Sequence, residues 1–190
     1  MKTHKTLTND PEAVKNGLLD AAAEILATDS VQKLTLSLVA QKAGVSKGGL
    51  LHHFPNKEQL LDGLFRRELD LMRQEMLTAM QNDPLETGRA ARAYIGLCNP
   101  NPPADKSYLI LRQLLSVMLS DYQLSQEWTR IYWDTIKSTG LFKDSSPLSL
   151  MCCLAADGMF LWEMLGIEKI DGFNTDDFYK LADKITRSTE

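Results

Sequence analysis

Apolar residues recur every three or four positions along most of this chain, which is the spacing of amphipathic helices. The strict alternation of apolar and polar residues that marks a half-buried strand is not found. Turn residues and helix caps divide the pattern into about nine helices. The predicted helices cover residues 11–26, 36–43, 47–53, 57–80, 86–97, 106–120, 125–137, 148–165 and 176–187. The sequence therefore predicts an all-α fold.

The second and third predicted helices are short and are separated by a tight turn. Gly44 follows the second helix at the position where a left-handed residue commonly ends a helix. Ser46 can cap the third helix, and Pro55 limits its length. A helix from Lys47 to His53 is about 10 Å long at 1.5 Å per residue. Its first turn can therefore lie across the base edges of a major groove about 12 Å wide.

The residues of this segment resemble a known family. AGVSKGGLLHHF at residues 43–54, followed directly by PNKEQLL, is similar to the helix-turn-helix signature of the TetR family of one-component transcriptional regulators. The resemblance covers residues 11–62, since the basic and apolar positions of the family's first helix are occupied by Lys15, Gly17, Leu18, Leu19, Ala21, Ala22, Ile25 and Leu26. It implies an N-terminal helix-turn-helix domain that binds DNA and a C-terminal helical domain for ligand binding and dimerisation. Gly49 and Leu51 depart from the family's usual threonine and tyrosine.

DNA contacts are predicted for the third helix and the residues around it. Ser46, Lys47 and Gly48 begin that helix and are placed for phosphate, as is Lys57 at the start of the long fourth helix. His52 and His53 are predicted to contact phosphate or base edges, with simple exposure as the alternative; adjacent helical histidines point about 100° apart and do not share one metal ion. The predicted DNA-binding residues are Thr35, Ser37, Ser46, Lys47, Gly48, Gly49, Leu51, His52, His53 and Lys57.

The net charge of −4 is unusual for a protein that binds a polyanion. Residues 1–60 contain seven Lys and six Asp or Glu, a net charge of +1, so the acidity belongs to the rest of the chain. DNA binding is therefore expected to depend strongly on dimerisation and on salt concentration.

Aromatic and soft side chains are concentrated in the second half of the chain. Such residues at helical spacing pack a core more often than they line a pocket, but the family resemblance implies a small apolar or aromatic effector between these helices. The predicted effector-binding residues are Tyr108, Arg112, Met118, Tyr122, Trp128, Tyr132, Met159, Trp162 and Glu163.

The helix predicted at residues 148–165 is apolar nearly all round, so both of its sides require burial. The outer side is expected to meet a second copy of the chain in a four-helix bundle with the last helix. The alternative is a central core helix in a monomer. The predicted dimer-interface residues are Leu154, Ala155, Gly158, Leu161, Leu181 and Ile185.

Residues 1–10 are predicted to form a loose arm, 11–56 the DNA-binding domain, and 57–190 the effector-binding and dimerisation domain. The chain contains no run of 18 apolar residues, and its N-terminus lacks the apolar segment of a secretory signal, so a cytoplasmic protein without membrane association is expected. Cys98, Cys152 and Cys153 are expected to be buried free thiols. We expect no metal and no cofactor.

These observations lead to one main hypothesis and two alternatives. The main one is a homodimeric repressor, not an enzyme, that leaves a pseudo-palindromic operator when it binds its effector. The first alternative is a protein-interaction module with weakened DNA binding. The second is a small all-α enzyme that uses Cys152 or Cys153 with Glu163 or Arg112, which requires a thiol of low pKa.

Overall fold

The computed structural model describes residues 10–99, 106–167 and 174–188, with the side chains of Tyr108 and Met164 left out. Of the predicted N-terminal arm, residues 1–9 lie outside this described part. The described ranges form ten helices and no strand, which confirms the all-α prediction. The helices are α1 (Pro11–Thr28), α2 (Leu36–Ala43), α3 (Lys47–His53), α4 (Lys57–Asn82), α5 (Arg89–Leu97), α6 (Lys106–Ser120), α7 (Tyr122–Ser138), α8 (Leu141–Asp144), α9 (Pro147–Met164) and α10 (Thr175–Arg187).

Three helices differ substantially from the sequence prediction, and the bounds of the other helices agree with it within two residues. Helix α5 begins at Arg89 instead of residue 86, because Gly88 before it has φ +71°, which is outside the right-handed helical region. A Cβ at this position would collide with the carbonyl oxygen of Thr186, so glycine is required there. Helix α7 begins at Tyr122 instead of Ser125, because the Asp121 carboxylate accepts the backbone N–H groups of residues 123 and 124 at 3.0 and 3.1 Å. The segment predicted as a loop between α7 and α9 contains α8, whose Leu141 is buried in the core.

The chain divides into two compact units. The first comprises the described residues of Met1–Glu68 and Ala104–Trp128, and the second those of Leu69–Pro103 and Thr129–Glu190. Helices α4 and α7 each contribute residues to both units. The functional division predicted at residue 57 remains a prediction. The structure groups α6 with the N-terminal helices, which the sequence pattern did not indicate.

The first unit packs α1, α2, α3 and α6 around a core of fully buried leucines, among them Leu18, Leu34, Leu50 and Leu64. Trp128 of α7 is also fully buried. This core gives α3 one buried side and leaves its other side available.

The second unit packs α5, α8, α9 and α10 against each other. Small residues allow the close approach of α5 to α9, and the core centres on Ala90, Ala91, Cys153 and Ala156. Within the described ranges, no helix is long and apolar enough to cross a membrane.

Candidate nucleic-acid interface

The α2–α3 turn is built by backbone and side-chain caps. The Thr35 hydroxyl accepts the backbone N–H of Leu38 at 3.2 Å at the start of α2. Gly44, with φ +68°, ends α2, and the next residue returns its N–H to the carbonyl of Ala40 at 2.9 Å. The Ser46 hydroxyl accepts the N–H of Gly49 at 3.1 Å and begins α3. These bonds hold α3 at a defined angle although it has only seven residues.

Helix α3 has one buried side and one outward side. Leu50 is fully buried, and Phe54 directly after the helix is buried too. Lys47, Gly48, Leu51 and His52 are exposed, and their spacing places them together on the outward side. We refer to these four residues as the outward face of α3.

Three lysines of the first unit are bound within the chain. Lys33 forms an ion pair with Asp29 at 2.7 Å, and Lys42 forms one with Glu24 at 2.9 Å. The Lys57 ammonium group donates to the carbonyl of Val31, and its partial burial lowers its pKa. Lys57 keeps two donors for a phosphate, but part of its role is structural.

Lys47 differs from these lysines. It is exposed at the first position of α3, and the described residues form no ion pair with it. Its charge is therefore available to a ligand outside the chain. The ammonium group favours an anion that binds at the outward face of α3.

The other predicted DNA contacts lie at the start of α2 and the end of α3. Thr35 and Ser37 are exposed at the beginning of α2, and the Thr35 hydroxyl can still donate while it caps the helix. The rings of His52 and His53 meet edge to face with their centroids 5.4 Å apart. Within the described ranges, no group of three His, Cys, Asp or Glu residues could hold a metal ion.

The predicted dimer-interface residues lie on the outer sides of α9 and α10. Leu154 is 69% exposed and Leu181 is 56% exposed, and Ala155 and Leu161 are exposed as well. Gly158 and Ile185 are half-buried. The opposite side of α9 is buried through Cys152, Cys153 and Ala156, so the helix has one covered and one uncovered apolar side.

The predicted effector-binding residues are divided between the two units. The first unit contains the exposed Arg112 and Tyr122, the half-buried Met118 and the buried Trp128; Tyr108 belongs to α6 in the same unit, but its side chain lies outside the described part. The second unit contains Tyr132, Met159 and Glu163, which are half-buried, and Trp162, which is exposed. The sequence did not anticipate this division.

Trp128 and Arg112 have clear surroundings in the first unit. The Trp128 ring stacks on Phe65 with centroids 4.3 Å apart, and its Nε1 donates to Asp62 Oδ1 at 3.1 Å. Packing therefore accounts for this tryptophan. Arg112 lines an open depression of about 360 Å³ with residues of α1 and the loop after it, including Thr28 and Lys33.

A polar cluster that the sequence analysis missed lies in the second unit. The Tyr94 hydroxyl donates to Asp157 Oδ1 at 2.6 Å and lies 2.8 Å from the hydroxyl of Tyr132. Burial raises the pKa of Tyr94 and raises the pKa of Tyr132 to about 12. Partial burial also raises the pKa of the Asp157 carboxyl, although the residue as a whole is exposed. The sequence feature that could have indicated this cluster is that Asp157 is the only charged residue from Pro147 to Leu161.

The three thiols do not have the low pKa that a cysteine nucleophile needs. Burial raises the pKa of Cys153 to about 12 and also raises the pKa values of Cys98 and Cys152. Cys98 and Cys153 also lie close to the Asp157 carboxyl, whose charge disfavours a thiolate. All three cysteines are free, and Cys152 and Cys153 are buried as predicted, whereas the prediction was wrong for Cys98, which is half-buried.

An all-α chain with a capped helix-turn-helix and an unpaired lysine on its outward face belongs to the helix-turn-helix class of proteins. Two family models match it. Residues 18–64 match bacterial regulatory proteins of the tetR family, and residues 88–188 match the tetracyclin repressor-like C-terminal domain. The second match alone covers more than half of the chain. The chain belongs to the TetR family.

Individual relatives are more distant. The HTH-type transcriptional repressor KstR2 of Mycolicibacterium smegmatis is 31% identical over 80 residues, which are 41% of this chain and 39% of that protein. The fatty acid metabolism regulator protein of Bacillus subtilis is 25% identical over 108 residues, 57% of this chain and 47% of that protein. The chain thus spans less than half the length of these curated relatives. A solved transcriptional regulator of Streptomyces coelicolor A3(2) has a TM-score of 0.72 at 17% identity, over 92% of this chain and 99% of that one, which shows the shared fold.

Proposed function

We propose that the protein is a homodimeric transcriptional repressor that binds a pseudo-palindromic operator through α3 of each subunit. The observation that carries the proposal is the outward face of α3, where an exposed and unpaired Lys47 lies on a helix held in place by the Ser46 cap. The matched tetR-family model and the name of the KstR2 relative, a transcriptional repressor, support the same function. Double-stranded DNA is then the partner, and the protein acts in the cytoplasm.

Selection of bound sequences from random double-stranded DNA, followed by gel shifts, tests this function. We expect one pseudo-palindromic sequence to be enriched, with half-site centres about 34 to 36 Å apart. Lys47→Ala should weaken binding to all sequences and make it less dependent on salt, because one phosphate contact per subunit is lost. Lys143→Ala, at an exposed lysine of α8 in the second unit, is the matched control and should bind like the wild type.

If the wild type enriches no sequence, the repressor proposal is wrong. The protein-interaction alternative then becomes the better explanation. Binding that falls steeply with salt but ignores sequence would also contradict an operator-specific repressor.

Dimerisation through α9 and α10 is the second part of the proposal. The exposed apolar side of α9, with Leu154 at its centre, and the exposed Leu181 of α10 support it, because a chain rarely leaves such a surface in water. A dimer also compensates for the small positive charge of residues 1–60, since two α3 helices bind one operator together.

Leu154→Glu tests this interface. The carboxylate should oppose association, produce a monomer in analytical ultracentrifugation, and weaken operator binding by about 100-fold or more, as expected when two linked sites become one. Leu119→Glu, at an exposed leucine of the first unit, is the control and should remain a dimer. A dimeric Leu154→Glu protein would rule out this face.

The effector is a small apolar or aromatic compound in this proposal. It would stabilise a pre-existing conformation whose two α3 helices do not match the half-site spacing, and it would thereby lower operator affinity. The name of the Bacillus relative, a fatty acid metabolism regulator, supports the apolar class. A library of apolar compounds should contain members that release the operator DNA, and a screen in which none does would contradict this part.

A further inference from the structure

The outward face of α3 contains two residues that the folding of the first unit does not explain. Leu51 is 38% exposed near the middle of this face, although the buried side of the helix is occupied by the neighbouring Leu50. At Gly48 a Cβ would meet nothing within 4 Å, and its φ is not positive, so alanine would fit there. Alanine would also favour the helix, because glycine is among the weakest helix formers.

The surroundings of the neighbouring Gly49 differ from those of Gly48. A Cβ at Gly49 would lie 3.0 Å from Val45 Cγ1 and 3.2 Å from the Ser46 hydroxyl that caps the helix. A side chain at Gly49 would therefore require Val45 or the capping Ser46 to shift by a few tenths of an ångström. No such packing surrounds Gly48, and a glycine allows another molecule to come close to the backbone.

Gly48 and Leu51 are three residues apart, so they occupy the same side of α3 on consecutive turns. The missing side chain at Gly48 leaves open space directly before Leu51. A molecule that contacts the Leu51 side chain would thus not collide with a side chain on the preceding turn.

The chemistry of Leu51 selects one feature of the major groove. Leucine neither donates nor accepts a hydrogen bond, so pressing it against a polar base edge removes water without replacing its hydrogen bonds. Thymine is the base whose major-groove edge presents an apolar group, its C5-methyl.

We propose that Leu51 contacts the C5-methyl group of a thymine in each half-site, and that Gly48 provides the space for this contact. The inference rests on the proposed function, since it names what α3 recognises in the operator. It makes Leu51 a specificity-determining residue instead of a lost polar contact.

Replacement of single thymines by deoxyuridine tests the proposal, because it removes the methyl group and keeps every hydrogen-bonding atom. The operator enriched by the wild type is substituted at each thymine in turn, symmetrically in both half-sites. At one position the wild type should bind about fourfold more weakly per half-site, the effect of one buried methyl group.

The matched protein variants are Leu51→Ala and Leu71→Ala. Leu71 is 45% exposed on α4 in the second unit, so it undergoes the same substitution outside α3. Leu71→Ala should keep the full deoxyuridine effect, whereas Leu51→Ala should bind the thymine and deoxyuridine operators equally well.

Equal deoxyuridine effects in Leu51→Ala and the wild type, or a wild type insensitive at every thymine, would overturn the inference while leaving DNA binding intact. A wild type that enriches no operator would instead overturn the proposed function. Gly48→Ala should leave the melting temperature unchanged or higher and weaken operator binding several-fold. Unchanged operator affinity in Gly48→Ala would overturn the role given to Gly48.

Discussion

Each of the two compact units contains an arginine ion pair, and the two pairs differ in their exposure to water. In the first unit, Arg66 binds Asp62 and Glu127, both at 2.8 Å, and all three side chains keep contact with water. In the second unit, the corresponding pair lies inside. Arg92 and Asp83 are almost completely buried and 2.6 Å apart. Water can replace a lost partner in the first case but not in the second, so equivalent substitutions should have unequal costs.

The Arg92 guanidinium is the clearest example of an internal polar group. Besides Asp83, it donates to the carbonyl oxygens of Thr87 at 2.9 Å and of Leu85 and Thr186 at 2.6 Å. It thereby joins the loop before α5 to the end of α10. Its hydrogen bond holds the pKa of the Asp83 carboxyl below its ordinary value.

Arg92→Met should have the largest effect on stability. The substitution leaves a buried carboxylate and several carbonyl groups without their donor, so we expect a loss of about 3 to 5 kcal/mol in the free energy of unfolding. Urea titration followed by circular dichroism measures this loss. Arg187→Met removes an exposed ion pair with Asp183 on α10 and should be neutral. Comparable stability of Arg92→Met and wild type would contradict the distinction between the exposed and the buried ion pair.

Trp128→Phe tests the corresponding position in the first unit. Phenylalanine preserves the stacking on Phe65 but loses the hydrogen bond to Asp62, whose carboxylate keeps Arg66 and water as partners. We expect a smaller loss of about 1 to 2 kcal/mol, measured by the same titration. Trp133→Phe, at an exposed tryptophan of α7, is the control and should change stability by less than about 0.5 kcal/mol. If Trp128→Phe lowered the free energy of unfolding as much as Arg92→Met does, the expected difference between the two positions would be contradicted.

Asp157→Asn should have the smallest effect, and its sign should depend on pH. Because burial raises the pKa of Asp157, the folded protein holds this proton more tightly than the unfolded chain does. Its contribution is therefore fully favourable below the ordinary aspartate pKa of 3.8 and is lost as the pH rises through the folded-state pKa. The asparagine oxygen can still accept from Tyr94.

The melting temperature of Asp157→Asn should thus equal that of the wild type below about pH 4 and exceed it near neutral pH. Asp134→Asn, at an exposed position of α7, should show no such trend. A variant that is less stable than the wild type at neutral pH would mean that the ionised carboxylate stabilises the cluster.

The helix-turn-helix could be predicted because its signals are local. Gly44 and Ser46 determine the end of α2 and the start of α3 within a few residues of the bonds they make, and both helices have the predicted bounds. The availability of charge could not be predicted in the same way. Lys57 donates to Val31 and Lys42 pairs with Glu24, and these partners are distant along the chain.

The predicted effector residues show the opposite situation. Their helical spacing is the same whether they pack a core or line a pocket, so the sequence pattern does not separate the two. Only the tertiary structure shows that Trp128 is covered by Phe65 in the first unit, while Tyr132 joins Tyr94 in the second. The role of Asp157 could not be predicted because its hydrogen-bond partners lie on other helices, and the sequence of α9 alone does not show them.

The sequence by itself determined the all-α class, the helix-turn-helix and the TetR family, since helix period, caps and a short motif are encoded by residues close to one another. The tertiary structure decided which lysines remain unpaired, which side of α9 is uncovered, and that Gly48 lies in open space while Gly49 does not. These properties depend on contacts between residues far apart in the chain or on the backbone path within a turn, and neither is expressed in a periodic pattern.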